Sequence, residues 1–198
     1  MSKIDFVVLW VDGNDLEWQK DKASYTPGVS SDVGLNRYRE WENLVYWFRA
    51  VAKYAPWVNK IHFVTNGQRP DWLNTNHPKI HHVRHSDYMP LDSLPTFNSS
   101  AIEIAIHKIP GLAERFVYFN DDMFLNAPIS EDFFFHNDMP VDMPGLTPKC
   151  YSENEDDNST FSHLLRNNFD VLNQYFDKKE VLRQHFTQWL IHATERLL

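Results

Sequence analysis

An apolar run that stops abruptly at two adjacent carboxylates is the segment of this chain best suited to chemistry. Residues 116–119 are Phe-Val-Tyr-Phe, and Asn120, Asp121 and Asp122 follow before apolar residues resume. A buried strand has this pattern when its carboxyl end opens into a site. Adjacent carboxylates repel each other and are tolerated best beside a cation, so the pair favours a hard divalent ion. The alternative is a polar turn between two short strands, since Asn and Asp are ordinary turn residues.

Three further polar clusters each follow an apolar stretch. They are Asp12 to Asp15, Asn66 to Gln68 and His85 to Asp87. In open α/β sheets, ligands bind beyond the carboxyl ends of the strands. If the preceding stretches are parallel strands, the four clusters are expected to face one cleft.

The elements that would position these clusters can be predicted from apolar patterning. Apolar runs predict strands over 4–11, 60–65, 80–84 and 115–119, and helical spacing predicts helices over 41–55 and 100–109. Ser100 and Glu103 have the spacing of a capping box at the start of the second helix. The polar residues 19–37, which include Pro27 and two glycines, predict a loop. This order indicates an α/β fold with a mostly parallel sheet flanked by helices.

The last third of the chain has a different character. A single domain is expected over 1–198, with a core over 1–135, a loop over 136–160 and a helical extension over 161–198. Two apolar stripes in the extension predict helices that pack against the sheet. Their members are Phe161, Leu164, Leu165, Phe169, Leu172 and Phe176 in one stripe, and Leu182, Phe186, Trp189, Leu190, Ala193 and Leu197 in the other.

Composition excludes several classes of protein. A chain of 198 residues with 42% hydrophobic residues can build a real core, and a net charge of -8 argues against DNA or RNA as a partner. The single cysteine, Cys150, excludes an internal disulfide framework. No signal peptide and no bilayer-spanning apolar run is recognisable, so we expect a cytoplasmic protein without a transmembrane segment.

Several segments, in their order along the chain, resemble the Stealth family, the sugar-1-phosphate transferases of bacterial capsule synthesis. The animal N-acetylglucosamine-1-phosphotransferase is a relative of that family. The resemblance covers residues 4 to 135 and is carried by residues 5–15 (DFVVLWVDGND), 37–44 (RYREWENL), 54–61 (YAPWVNKI), 63–68 (FVTNGQ), 94–103 (LPTFNSSAIE) and 116–124 (FVYFNDDMF).

The resemblance implies a reaction and a fold. A sugar 1-phosphate would pass from a nucleotide sugar, typically UDP-linked, to a hydroxyl of a glycan acceptor in capsule or exopolysaccharide synthesis. The implied fold is a glycosyltransferase-like nucleotide-sugar core of the GT-A or Rossmann-like type. Two alternatives stay open: a metal-dependent glycosyltransferase that releases the nucleotide diphosphate, and a noncatalytic module that binds nucleotide sugar or glycan. A protein of this kind would sit at the periphery of a membrane assembly complex on the inner membrane.

The matching positions give a set of candidate site residues. Asp121 and Asp122 are the predicted ligands of Mg²⁺ or Mn²⁺, and the catalytic candidates are Asp12, Asp121, Asp122 and Arg39. Donor binding is assigned to Gly13, Asp15, Arg37, Asn66, Gly67, Gln68, His85, Asn98 and Asn120.

Each assignment has a structural alternative. Asp12 and Gly13 can form a plain turn, although Gly13 would also let backbone amides approach a ligand. Arg37 and Arg39 can clamp phosphate, or pair with Glu40 or Glu42. Asn98 can contact sugar, or cap the helix that follows.

Two conserved blocks of the family are not recognisable in this chain. They lie further toward the carboxyl end and contribute a histidine proposed as the base and an arginine near the phosphates. His163, His185 and His192 lie in helical stretches without that context, so none of them is assigned as the base. The chain is therefore expected to be a fragment or a shortened homologue.

Overall fold

The computed structural model of the protein describes residues 3–25, 38, 41–142, 160–184 and 186–187. Arg37 and Arg39 lie outside these ranges. The chain divides into two compact units, Met1–Val141 and Asp142–Leu198. All the candidate site residues belong to the first unit.

The first unit is built on a four-stranded sheet that confirms the predicted α/β fold. Its strands are β1 (Ile4–Leu9), β2 (Ile61–Thr65), β3 (Ile80–Arg84) and β4 (Arg115–Phe119). All neighbouring pairs are parallel, and the spatial order is β3-β2-β1-β4. The two central strands, β1 and β2, are covered on both faces, which explains why they read as nearly continuous apolar runs.

Helices cover both faces of this sheet. Helix α2 (Leu44–Tyr54) packs on one face, where its Trp47 meets Phe6 and Phe119 in a shared core. On the other face lie α3 (Ser99–Ala105) and the short 3₁₀ turn that continues it, with Ile102 and Ile106 against Val7. Because side chains alternate along a strand, β1 supplies both cores.

A further helix, α1 (Leu16–Tyr25), occupies residues that the sequence predicts as loop. The prediction over residues 19–25 is wrong because this helix has almost no apolar periodicity. It is held by a cap at its amino end and by aromatic contacts of Trp18 and Tyr25 with Tyr38 and Phe97. Asp15 Oδ1 accepts hydrogen bonds from the N–H groups of Glu17 (2.9 Å) and Trp18 (3.3 Å), and the Trp18 ring packs on Tyr38 at 4.9 Å. Residues 26–37 lie outside the described residues.

The start of α3 also differs from its prediction. Ser100 and Glu103 do not form a capping box: the N-cap is Asn98, whose Oδ1 accepts from Ser100 N–H at 3.0 Å. The Glu103 carboxylate instead lies 3.2 Å from the Tyr118 hydroxyl, on the neighbouring strand β4. A residue one turn into a helix can serve a neighbouring strand as readily as its own N-terminus, and spacing alone does not distinguish the two.

Beyond β4 the first unit ends in a small hairpin of β5 (Phe135–His136) and β6 (Met139–Pro140). The second unit contains α4 (Thr160–Tyr175) and α5 (Lys178–Gln184). The prediction that their apolar stripes pack in a core is wrong for Leu172 (50% exposed), Phe176 (62%) and Phe186 (50%). Helical spacing identifies residues that share a face, but it does not specify what covers that face. The side chains of the other stripe members lie outside the described residues.

Asp5 is the centre of a buried polar network near the amino ends of the strands. Its carboxylate is fully buried and accepts four hydrogen bonds, from Asn59 Nδ2 (2.6 Å), Lys60 N–H (3.1 Å), His62 Nε2 (2.9 Å) and Ala113 N–H (2.9 Å). Burial alone would raise the pKa of Asp5, but these donors together hold it below its usual value. The carboxylate thereby joins β1 to β2 and to the loop that precedes β4.

Candidate functional site at the carboxyl edge of the sheet

The strand order reverses between β1 and β4, the position at which open α/β sheets form a ligand-binding crevice. From β1 the chain moves outward to β2 and β3, and then crosses back to add β4 on the other side of β1. In open α/β sheets, ligands bind at such a point of reversal, beyond the carboxyl ends of the strands. The residues that follow β1 and β4 at this edge are the clusters that begin with Asp12 and Asn120. The sequence-predicted clusters thus flank the position where this fold binds ligands.

Gln68 joins the loop after β1 to the loop after β2. Its Oε1 accepts from Asp12 N–H at 2.9 Å, and its Nε2 donates to Asp12 O at 3.2 Å and to Asp15 Oδ2 at 2.7 Å. The Gln68 amide lowers the pKa of Asp15, and the N–H groups at the start of α1 act in the same direction. Gln68 and Asp15 therefore shape the site by fixing the Asp12 loop, and their contacts are made within the protein.

Gly13 provides the space that this loop needs. Its backbone φ is not in the left-handed region, so its role is close approach. The main-chain carbonyl of Tyr38 lies where a side chain on Gly13 would begin. Tyr38 is held in turn by its hydroxyl, which donates to Phe97 O at 3.0 Å.

Replacing Gly13 with alanine should therefore destabilise the fold. The added methyl group would overlap the Tyr38 carbonyl, and overpacking of this kind costs about 1–3 kcal/mol. Urea unfolding of the two proteins measures the difference. Asn14→Ala, an exposed position in the same loop, is the matched control. A Gly13→Ala protein as stable as the Asn14→Ala protein would show that the Tyr38 contact is dispensable.

Asn66 and Gly67 form the turn that places Gln68. Thr65 Oγ1 donates to Gln68 O at 2.8 Å and accepts from Gly67 N–H at 3.0 Å, while Asn66 Oδ1 accepts from Gln68 N–H at 3.3 Å. Gly67 has φ 119°, a conformation that favours glycine. Asn98 likewise has a structural contact, as the cap of α3.

His85 lies half-buried in the turn that follows β3. Burial lowers the pKa of its imidazole to about 4. Its ring is consequently neutral near pH 7, and in that state it can accept a hydrogen bond. The burial of His81 and His82 lowers the pKa of those histidines as well.

His85 should make the fold sensitive to mild acid. The unfolded chain binds a proton below the ordinary pKa of 6.5, whereas the folded chain binds it only near 4. Stability is therefore complete above about pH 7 and falls by up to about 3 kcal/mol toward pH 4. Urea unfolding between pH 7.5 and pH 4.5 measures how the free energy of unfolding depends on pH. This dependence should be weaker for His85→Gln than for the parent. It should be unchanged for His107→Gln, which alters an exposed histidine. Equal slopes in all three proteins would exclude His85 as the cause.

Asn120, Asp121 and Asp122 lie exposed directly after β4. Asn120 Oδ1 accepts from the Tyr118 hydroxyl at 2.7 Å, and the same hydroxyl lies 3.2 Å from Glu103 Oε1. Burial raises the pKa of Tyr118, and the charges of Glu103, Asp121 and Asp122 raise it further. The negative charges of Glu103, Asp121 and Asp122 therefore all act at the end of β4, and they make this edge acidic.

The oxygen donors at the end of β4 suit a hard divalent ion. Mg²⁺ commonly uses one or two carboxylates and completes its shell with water and substrate phosphates. Asp121 and Asp122 supply that minimum. Among the residues the structure describes, His, Cys, Asp and Glu side chains nowhere gather in threes that could hold an ion. A cation here would thus depend on the substrate for part of its shell.

An apolar cavity lies elsewhere, between α2 and the segment that leads to β3. It has a volume of about 430 Å³, and Phe48, Val51, Leu73 and Ile80 are among the residues that line it. None of the predicted site residues lines it. The candidate site is therefore an open edge, distinct from this cavity.

The sequence interpretation did not assign Tyr38, Glu103 or Tyr118 to the site. Glu103 and Tyr118 approach each other because α3 packs on the sheet beside β4. Tyr38 contacts Gly13 although helix α1 separates the two residues in the sequence. These are contacts between distant parts of the chain, so local patterning contains no signal for them. For Tyr118 alone the sequence contains a signal, because a tyrosine hydroxyl in an apolar strand generally needs a hydrogen-bond partner.

Two family models match the chain. Conserved region 1 of Stealth proteins matches residues 2–30, and conserved region 2 of Stealth proteins matches residues 37–142. Together they cover the strands and loops that form the carboxyl edge. Within the described residues, no helix has the length and apolar character needed to cross a membrane.

Curated relatives are similar over most of the chain. The capsular polysaccharide phosphotransferase WcwK of Streptococcus pneumoniae is 44% identical over 192 residues, which is 96% of this chain and 56% of that protein. The capsular polysaccharide phosphotransferase eps5J of Streptococcus thermophilus is 46% identical over 188 residues, 91% of this chain and 75% of that protein. The exopolysaccharide phosphotransferase cps2G of Lactiplantibacillus plantarum is 47% identical over 183 residues, 92% of this chain and 52% of that protein.

The chain thus spans between about half and three quarters of the length of these relatives. The matched regions contain every predicted site residue, including Arg37 and Arg39. The order of the strands, the two matched regions and the identity to these relatives agree with one another. The chain belongs to the Stealth family.

Proposed function

We propose that this protein transfers a sugar 1-phosphate from a UDP-linked sugar to a hydroxyl group of a glycan acceptor, in the synthesis of a capsular or exocellular polysaccharide. The observation that carries the proposal is the acid pair at the end of β4, placed beside the point where the strand order reverses. The similarity to phosphotransferases of polysaccharide synthesis supports the same reaction. The proposed location is the cytoplasm, at the periphery of a membrane assembly complex on the inner membrane.

The reaction exchanges one phosphorus–oxygen bond for another. The acceptor hydroxyl oxygen bonds to the phosphorus that carries the sugar, while the bond from that phosphorus to the bridging oxygen breaks. UMP leaves with the bridging oxygen and its electron pair, and the hydroxyl proton passes to a base. Such a transfer depends mainly on positioning and charge neutralisation.

The described residues would contribute to binding and orientation. Asp121 and Asp122 would hold Mg²⁺ or Mn²⁺, which supplies neutralisation of the diphosphate charge when bound. The Asp12 loop, fixed by Gln68, would line the other side of the crevice. Arg37 and Arg39 are proposed as phosphate contacts, since a guanidinium binds phosphate through two parallel hydrogen bonds.

A donor labelled with ³²P in the phosphate attached to the sugar tests this reaction. The full-length protein would be incubated with labelled UDP-sugars, a glycan acceptor and Mg²⁺, and the products separated. We expect the label in the glycan and unlabelled UMP in solution. Label recovered in UDP would indicate an ordinary glycosyltransferase, and label remaining in intact donor that the protein nevertheless binds would indicate a noncatalytic module.

A further inference from the structure

The side-chain amide of Asn120 has different surroundings at its two ends. Its oxygen accepts the Tyr118 hydroxyl at 2.7 Å. Its nitrogen has no hydrogen-bond partner within the part of the chain that the structure describes. An amide offers one acceptor and two N–H donors. Occupation of the oxygen therefore leaves the donor end of an exposed side chain available at the carboxyl edge, next to Asp121.

Tyr118 is itself held in place from a second element. It lies half-buried in β4, and its hydroxyl is 3.2 Å from Glu103 Oε1 on α3. The hydroxyl is a donor at any pH near neutrality, because burial and the nearby carboxylates raise the pKa of Tyr118. The contact to Asn120 is the shorter of the two and lies at the usual distance for O–H···O bonds. A hydroxyl has one proton to donate, and this shorter contact assigns that proton to Asn120 Oδ1.

We propose that Tyr118 is a positioning residue that orients the amide of Asn120, so that its NH₂ group donates to a phosphate oxygen of the bound donor. This inference rests on the proposed function. Phosphate oxygens only accept hydrogen bonds, so the reversed amide would present its oxygen to them and repel them. An oriented neutral donor also offsets part of the repulsion between phosphate and the acidic residues at this edge, without competing for the cation.

Tyr118→Phe removes the one oxygen atom that would orient the amide. We expect the KM for the UDP-sugar to rise about five- to tenfold, the effect of one lost or misdirected hydrogen bond, while kcat changes by less than about threefold. The matched control is Tyr88→Phe. Tyr88 is buried on the same face of the sheet, and its hydroxyl has no hydrogen-bond partner among the described residues. That variant should keep the parent KM and kcat.

A double-mutant cycle tests whether Tyr118 acts through Asn120. Asn120→Ala should raise the KM at least as much as Tyr118→Phe does, and the double variant should be no worse than Asn120→Ala alone. Asn120→Asp keeps an oxygen for Tyr118 but loses the NH₂ group, and it should also raise the KM. Because Asn120 is exposed, Asn120→Asp tests the proposal even if the Tyr118→Phe protein does not fold. Additive effects in the cycle, or a parent-like KM in Asn120→Asp, would overturn it.

The products separate this inference from the proposed reaction. UDP–N-acetylglucosamine and UDP–glucose, each with Mg²⁺, serve as probes, with turnover assays run beside calorimetric titrations. If the parent protein releases UDP in place of UMP, the proposed reaction is wrong, while the comparison of variants still judges Tyr118. If the parent binds neither probe, both the reaction and the positioning role are overturned.

Discussion

Replacement of Asp5 with alanine should remove most of the stability of this fold. The carboxylate accepts four hydrogen bonds in a fully buried position, and its loss leaves the groups of Asn59, Lys60, His62 and Ala113 without their acceptor. Each buried donor that is left without its acceptor costs about 1–3 kcal/mol, and four donors lose theirs here. The free energy of unfolding of a typical domain is about 5–15 kcal/mol in total. We therefore expect a largely unfolded protein at 37 °C.

Thermal and urea unfolding, followed by circular dichroism, measure this effect. The control is Asp87→Ala, an exposed aspartate whose carboxylate accepts one hydrogen bond, from Arg84 N–H at 2.7 Å. That substitution should cost about 1 kcal/mol or less. If both variants lose similar amounts, the network around Asp5 contributes no more than a surface contact, and the explanation given for its burial is wrong.

Replacing both Asp121 and Asp122 with asparagine should abolish metal-dependent binding and turnover of the donor. The change removes two charges from a site that would hold Mg²⁺ with little else from the protein. Charge stabilisation by a metal is worth several kcal/mol, so kcat/KM should fall about 10²- to 10³-fold. Calorimetry with a UDP-sugar, with and without Mg²⁺, measures binding, and the ³²P assay measures turnover.

A second pair of adjacent acids provides the matched control. Glu131 and Asp132 lie in a 3₁₀ turn. The nearby Ile129 makes hydrogen bonds with Tyr54 and Trp57 at the carboxyl end of α2, which places this turn away from the end of β4. Glu131→Gln with Asp132→Asn makes the same change in net charge and should leave donor binding unaffected. Parent-like affinity in the Asp121→Asn/Asp122→Asn protein, equal with and without Mg²⁺, would show that the acid pair does not hold the cation.

The sheet was predictable because each strand is a short run that ends at a polar cluster. The strand boundaries at Ile80, Arg84, Arg115 and Phe119 agree with the prediction, since polar clusters end each apolar run. Helix α1 was not predictable from periodicity, because an N-cap and the contact of Trp18 with Tyr38 hold it in place. Local pattern is informative where burial alone decides the structure.

The site was only partly predictable for a related reason. The clusters after β1 and β2 do come together, and Gln68 is the residue that joins them. The sequence assigned Gln68 to donor binding, and in the structure its side-chain amide makes hydrogen bonds to Asp12 and Asp15. Tyr118 received no role, although its hydroxyl lies between Asn120 and Glu103 on α3. The strand ends show where a site lies. Which of its side chains face a ligand and which only hold the structure depends on contacts between distant segments.

The hydrogen bonds of Asp5 also constrain how the chain can fold during synthesis. Asp5 leaves the ribosome long before one of its donors, Ala113, which lies 108 positions further along the chain. Until that segment emerges, the Asp5 carboxylate lacks one of its four hydrogen-bond donors. Burial of β1 away from water is therefore disfavoured early in synthesis. Long-range closure of this kind slows folding and prolongs exposure of apolar strands. Nascent chains that stall before residue 113 should therefore be preferred clients of ribosome-bound chaperones.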